Sequence, residues 1–501
     1  MNRTTLSLIA ASVALAAVTG FAAATAPGGG NSEKAAARLP VERSSLLCPA
    51  PSTSDLAETA YTSYTPVSKE AGSSGKAALA PATRELTDST GSGKDKGKDK
   101  ADKPVLSPQK PGRPVAGESS GAESPALVGS ADGNLAPGWT VQQTTEVAAG
   151  TGRGLLGVNC SAPDTDFWFP GASTAKERSD YIHLTNPDDS AAVVDVQLYG
   201  PNGAIKSDVG EGIQVQPHSS VPILLSTLTD KPQTNVTLHV TARSGRVAAA
   251  VLGADDKLGG DWLQASADPA DTVVLPGIPK DATSVRLVAF TPGDNDADLK
   301  IQLASPRGRI ALAGHESLHV KSGMTAAVDL GDVTRGEAGS LVLTPTGDSA
   351  PVVAALRVVR GKGDHQETAF IPATRPVGAR ATVADNRAKG STLSLTAPGE
   401  SGTVKVTASP GTEGGTPVTK TYTVKGGTTL SVQPPVPAGL KGAYALTVEQ
   451  VSGAEVYGSR MLDVPDRDVP GVPMFTVQTL PDDRGTVSVP HADQDLSVLQ
   501  K

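Results

Sequence analysis

Aromatic residues are scarce in this chain of 501 residues, which has 6 Phe, 3 Trp and 7 Tyr. Its apolar interior must therefore come from Val, Leu, Ile and Ala, which suits several small cores better than one large aromatic-lined pocket. Basic residues are also outnumbered, because the chain has 44 Lys and Arg and 52 Asp and Glu. Its net charge is −8 with His neutral. Without a basic surface the chain is not expected to bind nucleic acid.

Long apolar runs are limited to the N terminus. Residues 4–26 carry no charge, and no later apolar run reaches about 18 residues. This pattern predicts either a signal peptide over 1–26, removed near Ala22–Ala24 or Ala26, or an uncleaved membrane anchor. Both interpretations stay open. In either case the rest of the chain is expected outside the cytoplasm, secreted or anchored to the membrane by residues 4–26.

Cysteine is limited to Cys48 and Cys160. In an exported chain two cysteines are expected to form a disulfide, which here would close a loop of more than 100 residues. Two separate buried thiols remain the alternative. A metal site made of two cysteines alone is not expected, and we predict neither a metal nor a cofactor.

The N-terminal third changes composition along its length. Its middle contains the alternating Lys/Asp run 94–100, and no aromatic residue occurs from Thr65 to Gly138. Such a stretch buries too little apolar surface to offset the entropy of ordering it. We divide the region into a short segment with Cys48 at 27–66, a disordered Lys/Asp/Pro/Gly-rich linker at 67–112, and a β segment with Cys160 at 113–165.

The remaining sequence repeats itself. An apolar strand that ends in proline recurs at 166–171, 272–277 and 368–372, and each copy closes on two apolar strands that we expect to form a hairpin. Period-two alternation and frequent Gly/Pro/Asn/Asp turns are typical of antiparallel sandwiches. The predicted fold is all-β, with tandem immunoglobulin-like or fibronectin-like β-sandwich modules following an N-terminal export helix and the linker. The modules are placed at 166–270, 271–367 and 368–466.

The C-terminal residues 467–501 form a predicted strand-forming tail. Its strand at 485–490 resembles the opening strand of a module, and we expect it to complete a further partial sandwich with the two cysteine-bearing segments. The three modules are expected to follow one another as a row. Such a row would leave reactive groups no shared cleft.

The string His315-Glu316-Ser317-Leu318-His319 matches the zinc motif H-E-x-x-H. That motif needs a helix to bring both imidazoles to one face. The repeat places the string on a strand, where residues four apart are separated by about 13 Å, too far for one zinc ion. A zinc metallohydrolase that uses His315, Glu316 and His319 is therefore a remote alternative, and no catalytic residue is assigned.

Two further strings resemble functional motifs. Gly117–Gly121 matches the nucleophile elbow around Ser119, but it lies in a Pro/Ser/Gly-rich stretch without the strand and helix that the elbow needs. Asp294–Asp298 offers oxygen ligands for Ca²⁺, yet the sixth position is not Gly and the twelfth is Ser305. A solvated turn is favoured there, with calcium left as the alternative.

The densest aromatic run is Phe167-Trp168-Phe169. An exposed platform of these rings could stack on sugars, which makes the three residues candidates for ligand binding. Alternation could instead turn two of them inward, to seal the joint between the disulfide-bearing segment and the first module. Large aromatic side chains are usually buried, which favours the seal.

Several features together resemble one family. They are the exported leader, Leu46–Pro49, the Lys/Asp-rich insert, Gly138–Gln143, Arg153–Cys160 and Asp166–Gly171. The combination resembles a family of actinobacterial secreted or cell-envelope proteins known as a domain of unknown function, over nearly the whole chain after the leader. The resemblance implies an envelope-associated or secreted protein of actinomycetes, with family genes near cell-envelope glycosyltransferases. It carries over no catalytic residues.

We therefore expect a non-catalytic extracytoplasmic structural or binding protein of the bacterial cell envelope, and not an enzyme. The alternative is an accessory factor that binds cell-envelope glycan or a glycosyltransferase. Its partners would be envelope polysaccharide or envelope proteins. Membrane contact is expected only through an uncleaved N-terminal segment.

Overall fold

Nearly all secondary structure in the described residues is β-strand. The computed structural model describes residues 37–68, 71–82, 103–363, 365–465 and 473–489. Helical structure in these ranges is confined to two short 3₁₀ turns, Gly133–Leu135 and Leu225–Thr227, so the all-β prediction is confirmed. None of the helices in the described ranges has the length and apolar character to cross a membrane. The predicted export helix at 4–26 lies outside these ranges.

Sandwich A spans residues 43–159 and is formed by the cysteine-bearing segments. After β1 (Ala37–Pro40), its strands are β2 (Arg43–Cys48), β3 (Ala57–Tyr64), β4 (Ala77–Pro81), β5 (Val115–Ser120), β6 (Leu127–Asp132), β7 (Thr140–Val147) and β8 (Gly154–Asn159). One sheet has the strand order β2-β6-β4 and the other β5-β3-β7-β8. Both sheets contribute to one apolar core, which includes Leu79, Leu127, Val141 and Trp139.

Strand β4 lies inside the predicted linker 67–112, so part of that segment differs from the prediction. Leu79 on β4 and Leu106 are both buried in the core of sandwich A. The amide of Leu79 donates to the carbonyl of Leu106 at 3.0 Å. Four apolar residues in a row are enough to form a buried strand even in a polar stretch. The Lys/Asp run at 94–100 lies outside the described residues.

Sandwich B spans residues 166–263. Its strands are β9 (Asp166–Ala172), β10 (Tyr181–Asn186), β11 (Ala192–Gly200), β12 (Gly203–Ile205), β13 (Ile213–Val215), β14 (Ser219–Leu224), β15 (Val236–Ser244), β16 (Ala248–Asp255) and β17 (Gly259–Leu263). One sheet has the order β12-β11-β15-β9, with β13 also on β11, and the other has β14-β10-β16-β17.

Sandwich C spans residues 273–372 and repeats this plan. Its strands are β18 (Val273–Ile278), β19 (Ala282–Phe290), β20 (Ala297–Ser305), β21 (Gly308–Ala311), β22 (Ser317–Val320), β23 (Thr325–Gly331), β24 (Gly339–Pro345), β25 (Val353–Lys362) and β26 (His365–Pro372). The sheets have the orders β18-β24-β20-β21, with β22 on β20, and β23-β19-β25-β26.

Sandwich D spans residues 380–479. Its strands are β27 (Arg380–Asn386), β28 (Ser391–Ala397), β29 (Gly402–Gly411), β30 (Gly414–Thr416), β31 (Val418–Val424), β32 (Thr428–Val432), β33 (Ala438–Lys441), β34 (Tyr444–Gly453), β35 (Tyr457–Pro465) and β36 (Pro473–Thr479). The main sheets have the orders β27-β34-β29-β31 and β32-β28-β35-β36, and β30 pairs with β33.

Two details of the predicted repeat differ from the structure. The strand at 368–372 belongs to β26, the last strand of sandwich C, whereas sandwich D opens at Arg380. Proline cannot donate a ladder hydrogen bond and is confined to edge strands, so a first and a last strand can look alike in sequence. The expected closing hairpins are also absent from the three repeats, since β15 and β16 lie in different sheets, as do β24 and β25, and β34 and β35.

The four sandwiches form a closed ring within the compact unit Pro40–Thr486. The edge strands β8, β17, β26 and β36 contact one another in a circuit, with β36 returning to β8. First strands add further contacts, because β9 packs on β25, β18 on β35, and β27 on β7. The expected row of modules is therefore wrong, since sandwich A contacts both sandwich B and sandwich D.

The last described strand is β37 (Thr486–Val489), which pairs with β1 in a two-stranded sheet. The tail strand therefore pairs with the N-terminal segment 27–66, as expected from the sequence, in a sheet of its own. Sandwich A is complete without it, because its seven strands already supply two facing sheets.

Candidate functional site

Cys48 and Cys160 form the predicted disulfide, with Cα atoms 4.5 Å apart. Cys48 ends β2 and Cys160 directly follows β8, so the bond joins the two sheets of sandwich A. The backbones beside it are also paired, since Leu47 and Ser161 exchange hydrogen bonds of 2.8 and 3.0 Å. Both cysteines lie in the buried core of the sandwich.

The aromatic run on β9 is buried rather than exposed. Phe167, Trp168 and Phe169 are 7, 8 and 0% exposed. Phe167 and Phe169 pack in the core of sandwich B, while the Trp168 ring stacks on His239, with centroids 3.6 Å apart, and on Phe290 at 5.3 Å. Since Phe290 belongs to sandwich C, Trp168 seals the joint between sandwiches B and C, and not the expected joint with the disulfide-bearing segment. An exposed sugar-binding platform is incompatible with this burial.

The zinc-like string has no helix. His315 precedes β22 and His319 lies on it. The His319 Nδ1 atom is 2.8 Å from an oxygen of Asp298, and its Nε2 atom is 3.4 Å from an oxygen of Asp296. The histidine of the zinc string therefore pairs with carboxylates of the calcium-like string. Across the described part of the chain, no three His, Cys, Asp or Glu side chains are grouped so as to hold a metal ion.

Ser119 of the elbow-like string lies on strand β5, opposite Thr59. Its Oγ atom is 2.6 Å from the Oγ of Ser124. The elbow needs a helix directly after the serine, but here the strand ends at Ser120 and runs into a turn. The string therefore lacks the geometry of a nucleophile elbow.

The centre of the ring is occupied by Asp261, a residue that belongs to none of the sequence motifs. It lies on β17 and is fully buried. The amide of Gly157 on β8 donates to its Oδ1 at 2.9 Å, and the Thr476 hydroxyl on β36 donates at 3.0 Å. The amide of Phe370 on β26 also donates to this carboxyl. One side chain of sandwich B thus receives hydrogen bonds from sandwiches A, C and D.

Burial dominates the electrostatics of this centre. It raises the pKa of Asp261 well above its usual range, although hydrogen bonds from Gly157, Thr476 and Phe370 act in the opposite direction. A carboxyl group that solvent cannot reach is also out of reach of a substrate. The arrangement of Asp261 therefore serves to join the sandwiches, and we call Gly157, Asp261, Phe370 and Thr476 the hub.

Glycine allows the strands of the hub to approach closely. A Cβ atom added to Gly157 would lie 2.2 Å from the Gln478 Nε2 atom and 2.5 Å from the Thr476 Oγ1 atom. A glycine inside a strand often marks such a close approach. The strings Leu-Leu-Gly-Val at 155–158 and Gly-Gly-Asp-Trp at 259–262 carried this signal.

Charged contacts join the same sandwiches around the hub. Arg153 of sandwich A forms an ion pair with Glu367 of sandwich C and donates to the Gln366 carbonyl at 2.8 Å. Arg380 of sandwich D donates to the Pro137 carbonyl of sandwich A at 3.2 Å. The Arg153 contacts join opposite sandwiches across the ring, and the Arg380 contact joins two neighbouring sandwiches.

Comparison with known proteins identifies a family. Residues 115–435 match the family described as "Family of unknown function (DUF5719)". The match runs from β5 of sandwich A to just beyond β32 of sandwich D and includes three of the four hub residues. No curated protein matches the chain.

Proposed function

The chain belongs to the DUF5719 family of unknown function, and we propose that it is a non-catalytic structural or binding protein of the cell envelope that acts outside the cytoplasm. The observation that carries this proposal is the hub. Four sandwiches meet at a solvent-free carboxyl group, Asp261, which suits a stiff scaffold that holds surface loops in fixed positions.

The disulfide supports the extracytoplasmic part of the proposal. Structural disulfides form and persist mainly in oxidising compartments, and Cys48–Cys160 is buried in the core of sandwich A. The actinobacterial envelope origin and the export segment at 4–26 belong to the same proposal. An uncleaved segment would anchor the scaffold to the membrane.

The non-catalytic part is supported by what the motif residues do. The His319 ring is paired with Asp296 and Asp298, and Ser119 with Ser124. The partners of His319 are carboxylates and that of Ser119 is a hydroxyl group, so neither pair couples a nucleophile to a histidine base.

Localisation tests the proposal most directly. Full-length protein produced in an actinobacterial host should be cleaved when spheroplasts are treated with external protease, whereas a cytosolic marker in the same cells survives. Mass spectrometry of the unreduced protein should recover the peptides around Cys48 and Cys160 as one linked species. Protected protein with both thiols free would contradict the proposal.

Metal analysis tests the remote zinc hydrolase. Purified wild-type protein is expected to contain far less than one zinc per chain, and His319→Ala is expected to leave that content unchanged. One zinc per chain that disappears in His319→Ala would favour the hydrolase instead.

The second candidate function is an accessory factor that binds envelope glycan or a glycosyltransferase. It is favoured by an uncharged cavity of about 120 Å³ at the joint between sandwiches A and B. Binding of envelope polysaccharide by the wild type, with loss on filling that cavity, would support this candidate.

A further inference from the structure

A cavity of about 120 Å³ lies where sandwich A meets sandwich B. We call it the A–B cavity. Leu47 and Pro49 line it from sandwich A, and three consecutive alanines, Ala248, Ala249 and Ala250, line it from β16 of sandwich B. Charged side chains are absent from its lining.

The cavity arises because sandwich B has a small residue where its neighbours have larger ones. Ala248 forms the last residue pair of the β10–β16 ladder. The last pair of the corresponding ladder contains Val353 in sandwich C and Tyr457 in sandwich D. Val353 packs against Trp168 of the preceding sandwich, and Tyr457 packs against apolar residues of sandwich C. Two joints are thus filled by a side chain that the A–B joint lacks.

Three residues of this lining each have a buried polar atom that has no hydrogen-bond partner in the protein. These atoms are Nδ1 of His183, Oδ1 of Asn159 and Nε2 of Gln264. His183 is 5% exposed, and burial lowers its pKa to about 4, so its imidazole is neutral at pH 7. Leaving such atoms unpaired is costly. The lining therefore offers both hydrogen-bond donors and acceptors, but no charge.

We propose that the A–B cavity binds an uncharged, hydroxyl-bearing ligand, either a short polyol or the hydroxylated edge of one sugar residue. A hydroxyl group both donates and accepts, which matches the unpaired His183, Asn159 and Gln264 atoms. The carbon atoms would lie against Ala248 and Ala250, which share one face of β16. A cavity of about 150 Å³ can hold a benzene molecule, so a cavity of about 120 Å³ limits the bound part to two or three hydroxyl-bearing carbons.

This proposal specifies what the protein would bind under the proposed function. It rests on that function only for where the ligand comes from. A free polyol and a glycan end share the same chemistry. Two probes, glycerol and methyl glucoside, distinguish them. The localisation experiment has a separate readout, so a failed cavity assignment leaves that result untouched.

Histidine-selective NMR of the full-length chain provides the test. The chain has 7 His, and His183→Phe assigns the His183 ring signal by its disappearance. Either probe should shift that signal in a saturable way, with a dissociation constant on the order of 1 mM, while the other rings stay in place. Saturation by glycerol alone assigns short polyols, and saturation by the glucoside assigns glycan ends. No shift with either probe overturns the proposal.

A variant that fills the cavity gives the second readout. Ala248→Val installs the residue found at the same position in sandwich C and should weaken probe binding at least tenfold. Ala204→Val, at an exposed position on β12, is the matched control and should bind as the wild type does. Gln264→Met, which removes an amide at similar volume, should weaken binding about fivefold. Unchanged binding in Ala248→Val and Gln264→Met would contradict the assignment, even if both probes shift the signal.

Discussion

Thr476 lies 3.0 Å from both carboxylate oxygens of Asp261, although 215 residues separate the two in sequence. The contact joins the last strand of sandwich D to the last strand of sandwich B, across the centre of the ring. Asp261 also accepts from sandwiches A and C. Its environment should therefore report on the assembly of all four sandwiches.

The pH dependence of stability should reveal this carboxyl group. Burial raises the pKa of Asp261 in the folded state above its unfolded value, so the folded protein holds the proton more tightly. The resulting stabilisation is fully present below the unfolded pKa, which is about 3.9, and is lost as pH rises through the folded pKa. Asp261→Asn should remove this loss. Urea unfolding from pH 4 to pH 8 should show the free energy of unfolding of the variant rising relative to that of the wild type. Parallel curves of this free energy against pH would contradict the prediction.

Asp261→Ala should act differently from Asp261→Asn. It leaves the buried amides of Gly157 and Phe370 and the Thr476 hydroxyl without their acceptor. Each unpaired group costs about 1–3 kcal/mol, so the free energy of unfolding should fall by at least that amount at pH 7. The asparagine variant, which keeps an acceptor oxygen, is the matched control.

Gly157→Ala should lower the free energy of unfolding by about 1–3 kcal/mol, because the added methyl group overpacks the hub. The stiff Thr476 side chain and the buried Gln478 amide leave it no room. Gly399→Ala is the control, because a Cβ atom there meets no atom within 4 Å. Equal unfolding midpoints for the two variants would contradict the prediction, because they would show that the hub accommodates the added methyl group.

Loss of the disulfide should destabilise the protein by about 4–5 kcal/mol in the chain-entropy model, since it closes a long loop. The two cysteines are 112 residues apart. Urea unfolding of Cys48→Ala/Cys160→Ala and of the reduced wild type should give similar free energies, both below that of the oxidised protein. A reduced wild type as stable as the oxidised protein would contradict the prediction.

Trp168→Ala should lower the free energy of unfolding by about 3–5 kcal/mol, as for other large-to-small substitutions in a core. Its ring lies between His239 and Phe290, so its removal opens the joint between sandwiches B and C. Trp168→Phe should recover part of the loss. Binding of envelope polysaccharide, if detected, should be the same in Trp168→Phe as in the wild type.

The class of fold was predictable from the sequence because alternation and turn residues are local signals. The partners of each strand were not. A short loop can make a hairpin or carry the chain to the opposite sheet, and both patterns bury alternate residues. Val236–Ser244 and Ala248–Asp255 therefore looked like a hairpin but belong to different sheets.

The hub escaped prediction for a related reason. Gly157, Asp261 and Thr476 are about a hundred or more residues apart, and each lies in an ordinary apolar strand. Only the ring brings them together, and single-sequence patterns do not specify how modules pack. The disulfide was predictable because the chain has only two cysteines.

The circuit of edge strands also constrains the order of events when the molecule is made. The chain reaches Asp261 long before it reaches Thr476, so a nascent protein can complete three sandwiches before the hydrogen bond between these two residues can form. The final strand of the fourth sandwich supplies Thr476 and closes the circuit of edge strands. Protein truncated before Pro473 therefore cannot form the complete hub, and the circuit of edge strands closes only when synthesis is almost over.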